Sequence, residues 1–281
     1  MALRCGRFEI PLDRPLVMGV VNLTTDSFFP GSRLLDPAAA LEHAQHMIAD
    51  GADLVDIGAE STRPGAAPAS QQEELERLIP LVEKLAASNV PVSADTRKPA
   101  VMRAVIAAGA SMINDVSALR EPGALETIAG AKEPVAVCVM HMKGEPATMQ
   151  QAPSYVDAVS EVKDFLAERA RACEAAGIAR ERVVVDPGFG FGKTVAHNLV
   201  LLRALPEIAA LGYPVLAGLS RKSTIGAITG RDVGERLAGS LGAALAAVAR
   251  GAAIVRVHDV RETVDALKVW NEVQHGQTFR H

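Results

Sequence analysis

The chain has 281 residues, 49% of them apolar and 22% charged, with a formal net charge of −4; it can bury a large core, has none of the bias of a disordered chain, and is expected to form one domain over residues 1–281. No run of lysine and arginine interleaved with aromatics is present, so nucleic acid is excluded as a partner, and no stretch reaches the roughly 18 apolar residues of a membrane span. Cys5, Cys138 and Cys173 are too few and too scattered for a disulfide framework or a zinc cluster, and the charged start MALRCGRFEIPLDRP does not read as a signal peptide, so a reducing cytoplasm is the expected location.

Taken from the start, apolar runs of the kind that form buried parallel strands recur: LVMGVVN at 16–22, DLVDIGAE at 53–60, VPVSADT at 90–96 and SMIND at 111–115. They continue with PVAVCVMH at 134–141, RVVVD at 182–186, YPVLAGLS at 213–220 and AAIVRVHD at 252–259. Helical stripes lie between them. Asp36 and Pro37 read as N-cap and first helical residue ahead of Leu41, Ala44, Met47 and Ile48, with Gly51 as the stop. Ser70 and Glu73 form a capping box ahead of Leu75, Leu78, Ile79, Val82 and Leu85, and Pro80 is expected to kink that helix. Val159, Val162, Leu166, Ala170 and Cys173 follow an expected cap at Ser154; Leu237, Leu241, Ala244, Leu245 and Val248 give the next stripe, and Val260, Val264, Leu267 and Trp270 the last.

Eight β/α repeats in this length predict an α/β protein, a single (β/α)8 TIM barrel, with an open doubly wound sheet as the alternative. Helix-to-strand links are short and marked by Gly51, Gly109 and Gly251, whereas the strand-to-helix segments 23–35, 59–70 and 141–153 are long. Long loops on one end make the C-terminal end of the strands the working face.

The most informative stretch is VVVDPGFGFGK at 183–193, where a strand ends on Asp186, Pro187 stops the pairing, and Gly188, Gly190 and Gly192 free the backbone. It is not a phosphate-binding P-loop, because the first glycine of that motif would fall at Pro187. The other strands also end on polar groups: Asn22, Glu60 with Thr62 and Arg63, Asp95, Asn114 with Asp115, His141, Lys222 with Ser223, and Arg256 with His258. Singly, Asp95, Asn114 and Asp186 could each cap a following helix. Together, eight polar strand ends are costly to bury without a ligand, so they read as a site for a polar substrate. Carboxylate and amide edges suit a flat heterocycle with adjacent N–H donors, and 220–223 and 256–258 stand where barrels commonly bind phosphate.

Eight motifs carry a closer likeness: MGVVNLTTDSF from Met18, DIGAESTRPGA from Asp56, SADTRK from Ser93, INDVSA from Ile113, MHMKGEPATMQ from Met140, DPGFGFGK from Asp186, GLSRKS from Gly218 and RVHD from Arg256. In order and spacing the chain resembles the dihydropteroate synthase family, which joins 6-hydroxymethyl-7,8-dihydropterin pyrophosphate to p-aminobenzoate and releases pyrophosphate. The resemblance implies that Asp186 pairs with the pterin 2-amino and N3 hydrogens, Asn114 with the neighbouring edge, Asp95 with the far side of the ring and Lys222 with the O4 and N5 edge. It implies Mg2+ on Asn22, pyrophosphate on Arg256, His258 and Arg63, and p-aminobenzoate framed by Thr62, Pro64, Phe28, Phe189 and Ser223. Catalytic roles fall to Asp95, Lys222, Arg256 and Asp26, in a reaction through a dihydropterin cation without a covalent enzyme intermediate. A homodimer is usual for the family.

The first loop departs from the family pattern, with Thr25 in place of a proline and Phe29-Pro30 in place of Ser-Asp. Two other functions remain open on sequence: a pterin-binding methyltransferase, which would not use the basic Lys222, Arg256 and His258, and a catalytically silent pterin-binding paralogue, supported only by the altered loop. Glycines 31 and 65 lead us to expect that both long loops move before ligands bind, so that the aryl-amine pocket forms last.

Overall fold

The structure, a computed structural model, describes residues 1–23, 36–61 and 68–276. It opens with an antiparallel hairpin, β1 (Ala2–Cys5) and β2 (Phe8–Pro11). Then β3 (Leu16–Asn22), α1 (Pro37–Ala49), β4 (Leu54–Gly58), α2 (Gln71–Leu85), β5 (Val92–Asp95), α3 (Pro99–Ala107), β6 (Met112–Asp115), α4 (Ala124–Ala129) and β7 (Ala136–Met140) alternate. The chain continues with α5 (Ala158–Ala175), β8 (Val183–Asp186), α6 (Val195–Arg203), α7 (Leu205–Ala209), β9 (Val215–Ala217), α8 (Ser223–Thr229), α9 (Leu237–Val248), β10 (Ala252–Val257) and α10 (Val260–His275). Strands β3 to β10 are all parallel and close in the order β10-β3-β4-β5-β6-β7-β8-β9. The architecture is therefore the (β/α)8 barrel, and the open sheet is excluded.

Side chains alternate between the two faces of a strand, and the register makes this alternation continuous around the barrel. Val17, Val55, Val92, Ile113, Val137, Val185 and Val255 point outward and are buried with the helices. Leu16, Met18, Leu54, Met112, Ala136, Cys138, Val184, Leu216 and Ile254 point inward and fill the lower barrel. The hairpin closes that end: Leu3 and Cys5 are fully buried in the same cluster, with Ile10 and Leu12 packed on it. Gly6, at φ 59°, makes the turn, and its N–H donates to the Pro134 carbonyl at 3.1 Å. The barrel interior is therefore closed at this end.

The helix signals read from sequence hold at α1, where Asp36 accepts from the Ala38 and Ala39 N–H groups, and at α2, where Ser70 and Glu73 form both halves of the capping box. Helix α2 runs on through Pro80 to Leu85. The cap of α5 is Asp157, which accepts from the Val159 and Ser160 N–H groups, and not Ser154. Ser154 lies too far ahead of the first helical residue for its hydroxyl to serve the orphan donors.

Candidate active site

One register step above the apolar layer, the inward positions turn polar. Pairing aligns Asp56 with Ser93, Asp95 with Asn114, and Asn22 with Gly58, and Met140 aligns with Asp186. The capping reading fails for all three strand-end groups, because the N-caps of α3, α4 and α6 are Lys98, Gly123 and Thr194. Asp95, Asn114 and Asp186 instead face the barrel mouth. There Arg256, from β10, donates from Nε to Asp56 Oδ2 at 2.6 Å and from Nη2 to Asp95 Oδ2 at 3.2 Å. Asn114 Nδ2 donates to the same Asp56 oxygen at 3.1 Å. Burial, reinforced by the Asp56 charge, pushes the Asp95 carboxyl up to about 8 against the pull of Arg256. Burial lowers the Arg256 guanidinium, but Asp56 and Asp95 outweigh it and the net direction is upward.

Asp186 is built differently. Its Oδ1 accepts the Gly188 N–H at 2.6 Å, and its carbonyl accepts the His141 N–H at 2.9 Å. Gly188, at φ 66°, leaves no room for a side chain, since a Cβ there would lie 2.0 Å from the His141 oxygen. The loop is held from inside by Lys193, 3% exposed, whose ammonium donates to the carbonyls of Gly188 (2.9 Å), Phe191 (3.0 Å) and His141 (3.2 Å) and meets His141 Nδ1 at 2.9 Å. Burial lowers Lys193 to about 7, opposed by Asp186. Lys222 donates to the Phe189 carbonyl and stands 4.8 Å from the Phe191 ring centre. Burial lowers Lys222 to about 8, opposed by Asp186, and burial raises Asp186, opposed by Lys222.

After β9 and β10 the polar groups divide their work. Arg221, at φ 56°, turns from the mouth and grips Asp259 with Nε at 2.9 Å and Nη2 at 2.7 Å, while Nη1 donates to the Val233 and Gly234 carbonyls. This clamp frees Lys222 and His258 to face the site. Ser220 Oγ accepts the His258 backbone N–H at 3.2 Å and meets His258 Nδ1 at 3.1 Å. Burial and the neighbouring Arg256 lower His258 to about 4, so at neutral pH its ring is uncharged.

The barrel order sorts these groups into two arcs. Lys222, Arg256, His258 and Asn22 come from the adjacent β9, β10 and β3, and Asp56, Asp95, Asn114 and Asp186 from β4, β5, β6 and β8. One arc offers cations and N–H donors to an anion; the other offers acceptors to a heterocycle with N–H edges. Phe189 is 1% exposed and packs in the core, whereas Ser223 is exposed as the first residue of α8. Asp26, Phe28, Thr62, Arg63 and Pro64 lie outside the described residues, as do the loop departures at Thr25, Phe29 and Pro30. His141 belongs to the wall, edge-on to Phe165 at 5.0 Å, and Glu60 is held by Lys98 at 2.8 Å and Arg97 at 3.5 Å. Sequence reasoning missed Asp56 and Lys193 as parts of the site. The available signal for Asp56 was an acid in an apolar buried strand, in phase with inward Leu54.

These features define a pterin-binding barrel: a model of the family described as pterin binding enzyme matches residues 18–258. The chain is 51% identical over 273 residues to the dihydropteroate synthase of Neisseria meningitidis serogroup B, covering 95% of each chain. It is 49% identical to that of Escherichia coli K12, covering 93% of this chain and 92% of the other. The fold agrees with the Yersinia pestis dihydropteroate synthase in a sulfonamide complex at a TM-score of 0.94, with 44% identity and 99% and 100% coverage. The Burkholderia cenocepacia enzyme, complexed with 7,8-dihydropteroate, gives 0.89 with 54% identity and coverage of 98% and 97%. The chain belongs to the dihydropteroate synthase family.

Proposed function

We propose that this chain is a dihydropteroate-forming transferase, which condenses 6-hydroxymethyl-7,8-dihydropterin pyrophosphate with p-aminobenzoate and releases pyrophosphate. The observation that carries this reading is the meeting of the two arcs in one barrel mouth, acceptors beside cations. Asp186 and Asn114 would take the donors of the pterin ring, and Asp95 its far edge. Lys222 spans the arcs and would face the ring carbonyl. Arg256, with Nη1 unengaged among the described residues, and neutral His258 would donate to the pyrophosphate. As the C–O bond to the leaving group breaks, positive charge develops on the ring beside the oxygens of Asp95 and Asp186, which would accept from its N–H groups. The aryl amine then adds and loses a proton. The methyltransferase alternative leaves the cationic arc without a purpose.

Mg2+ fits the donor set at the end of β3. Asn22 would supply one amide oxygen, and no group of three or more His, Cys, Asp or Glu side chains gathers among the described residues, so phosphate oxygens and water would complete the shell. When bound, the ion would neutralise charge on the leaving pyrophosphate. No helix among the described residues is long and apolar enough to cross a membrane. Incubation with both substrates and an assay of released pyrophosphate tests the function: release that requires p-aminobenzoate is expected, and binding without release would favour the silent paralogue.

A further inference from the structure

Asp56 has no role in the reaction as derived, yet it touches both halves of the site. It is fully buried on β4, and its Oδ2 is shared by Arg256 Nε at 2.6 Å and Asn114 Nδ2 at 3.1 Å. The consequence for Asn114 is directional. The Asp56 oxygen that accepts from Arg256 accepts from Asn114 as well, so Asn114 turns its amide nitrogen to Asp56, which leaves its Oδ1 as the atom offered to a ligand. The consequence for Arg256 is similar: docked through Nε and reaching Asp95 with Nη2, it keeps Nη1 for an anion.

A residue kept for stability would look otherwise. A carboxylate buried for structure has its lone pairs filled, but among the described residues Asp56 Oδ1 has no partner, and neither has the hydroxyl of Ser93, its neighbour in register on β5. Replacing a buried ion pair by apolar side chains is often neutral or stabilising, and the inward positions directly below, including Leu54, Met112 and Ile254, are apolar. Function accounts for the exception.

We propose that Asp56 is a positioning residue of this reaction, which sets Asn114 as an acceptor toward the heterocycle and holds Arg256 for the pyrophosphate. This rests on the function proposed above. Three variants test it, Asp56→Asn, Asn114→Asp and the swap that combines them, with 6-hydroxymethylpterin binding measured by titration calorimetry. Each single change should weaken binding about tenfold or more, the loss expected for one charge-assisted hydrogen bond. The swap restores a donor facing a carboxylate and returns an acceptor to the ligand, so it should bind more tightly than either single variant. Recovery of this kind is a pairwise effect that general loss of packing does not produce. A folded Asp56→Asn that binds like wild type, or a swap that binds no more tightly than the better of the single variants, overturns the inference. If Asp56→Asn does not fold, the comparison of Asn114→Asp with the swap decides alone. Wild type, run alongside, separates the two levels: if it neither binds pterin nor releases pyrophosphate, the proposed function falls. If it does both while Asp56→Asn is unaffected, only the positioning role falls.

Discussion

Replacing Lys193 with methionine should loosen the loop that carries Asp186 without disturbing the barrel below it. Methionine has about the same length and flexibility and fills the space, but it cannot donate, and the carbonyls of Gly188, Phe191 and His141, now 2.9 to 3.2 Å from the ammonium, lose their shared partner. At about 1 kcal/mol for each lost hydrogen bond, the destabilisation is about 3 kcal/mol. Unfolding entropy of about 2.1 cal/mol/K per residue then places the fall in Tm near 5 °C. The effect reaches the ligand as well, because Gly188 N–H holds Asp186 Oδ1 and the Phe189 carbonyl holds Lys222. Calorimetric melting and pterin titration on the same preparation measure both. An unchanged Tm together with unchanged pterin affinity would refute the reasoning, since the carbonyls would then be satisfied without Lys193.

Asp186→Asn should keep the fold and lose about 1.5 to 3 kcal/mol of pterin binding, because one carboxylate oxygen that accepted from the ring becomes an NH2 facing its donors; equal titration isotherms would remove Asp186 from the site. Asp95, at about 8 in the folded protein against 3.8 in its ordinary state, keeps a proton that the unfolded chain releases. Its contribution to stability is therefore complete below about pH 4 and lost as the pH rises to about 8, and Asp95→Asn should flatten that part of the decline in a pH series of urea midpoints. Parallel curves for the two proteins would contradict it. Sulfanilamide should raise the apparent KM for p-aminobenzoate and leave kcat unchanged; inhibition indifferent to p-aminobenzoate would place it elsewhere. Finally, p-aminobenzoate should bind measurably only when a pterin, pyrophosphate and Mg2+ are present, and equal affinity without them would mean a pocket that exists before the ligands arrive.

The barrel strands were legible because both faces of each are buried, which leaves uninterrupted runs such as Val183 to Val185 and Val137 to Val139. The hairpin β1–β2 escaped notice because four-residue strands carrying Arg4 and Glu9 leave too short an alternation to read. Asp95, Asn114 and Asp186 could be placed by position alone, at the ends of strands. Asp56 could not, since it sits two residues inside its strand and its meaning depends on Arg256, 200 residues away in sequence. Lys193 was visible only as a failed phosphate motif. Its work comes from carbonyls that converge once the glycines have turned, a property of backbone conformation and not of spacing. Arg221 illustrates the converse: a cation in a plausible phosphate-binding stretch is committed to Asp259 instead.

The hairpin that seals the lower end precedes every barrel strand in the chain and is among the last parts that can be buried. Leu3 and Cys5 need a floor assembled from Leu16, Leu54, Met112, Ala136, Val184, Leu216 and Ile254, and the seam between β3 and β10 joins Leu16 to Ile254 across almost the whole chain. Contacts of such long range make closure slow, and until the final strand arrives the lower core stays open to water or to other chains. Neither half of the chain can complete this core alone. Refolding should therefore show one late, cooperative step in which the hairpin becomes protected from hydrogen exchange together with β10.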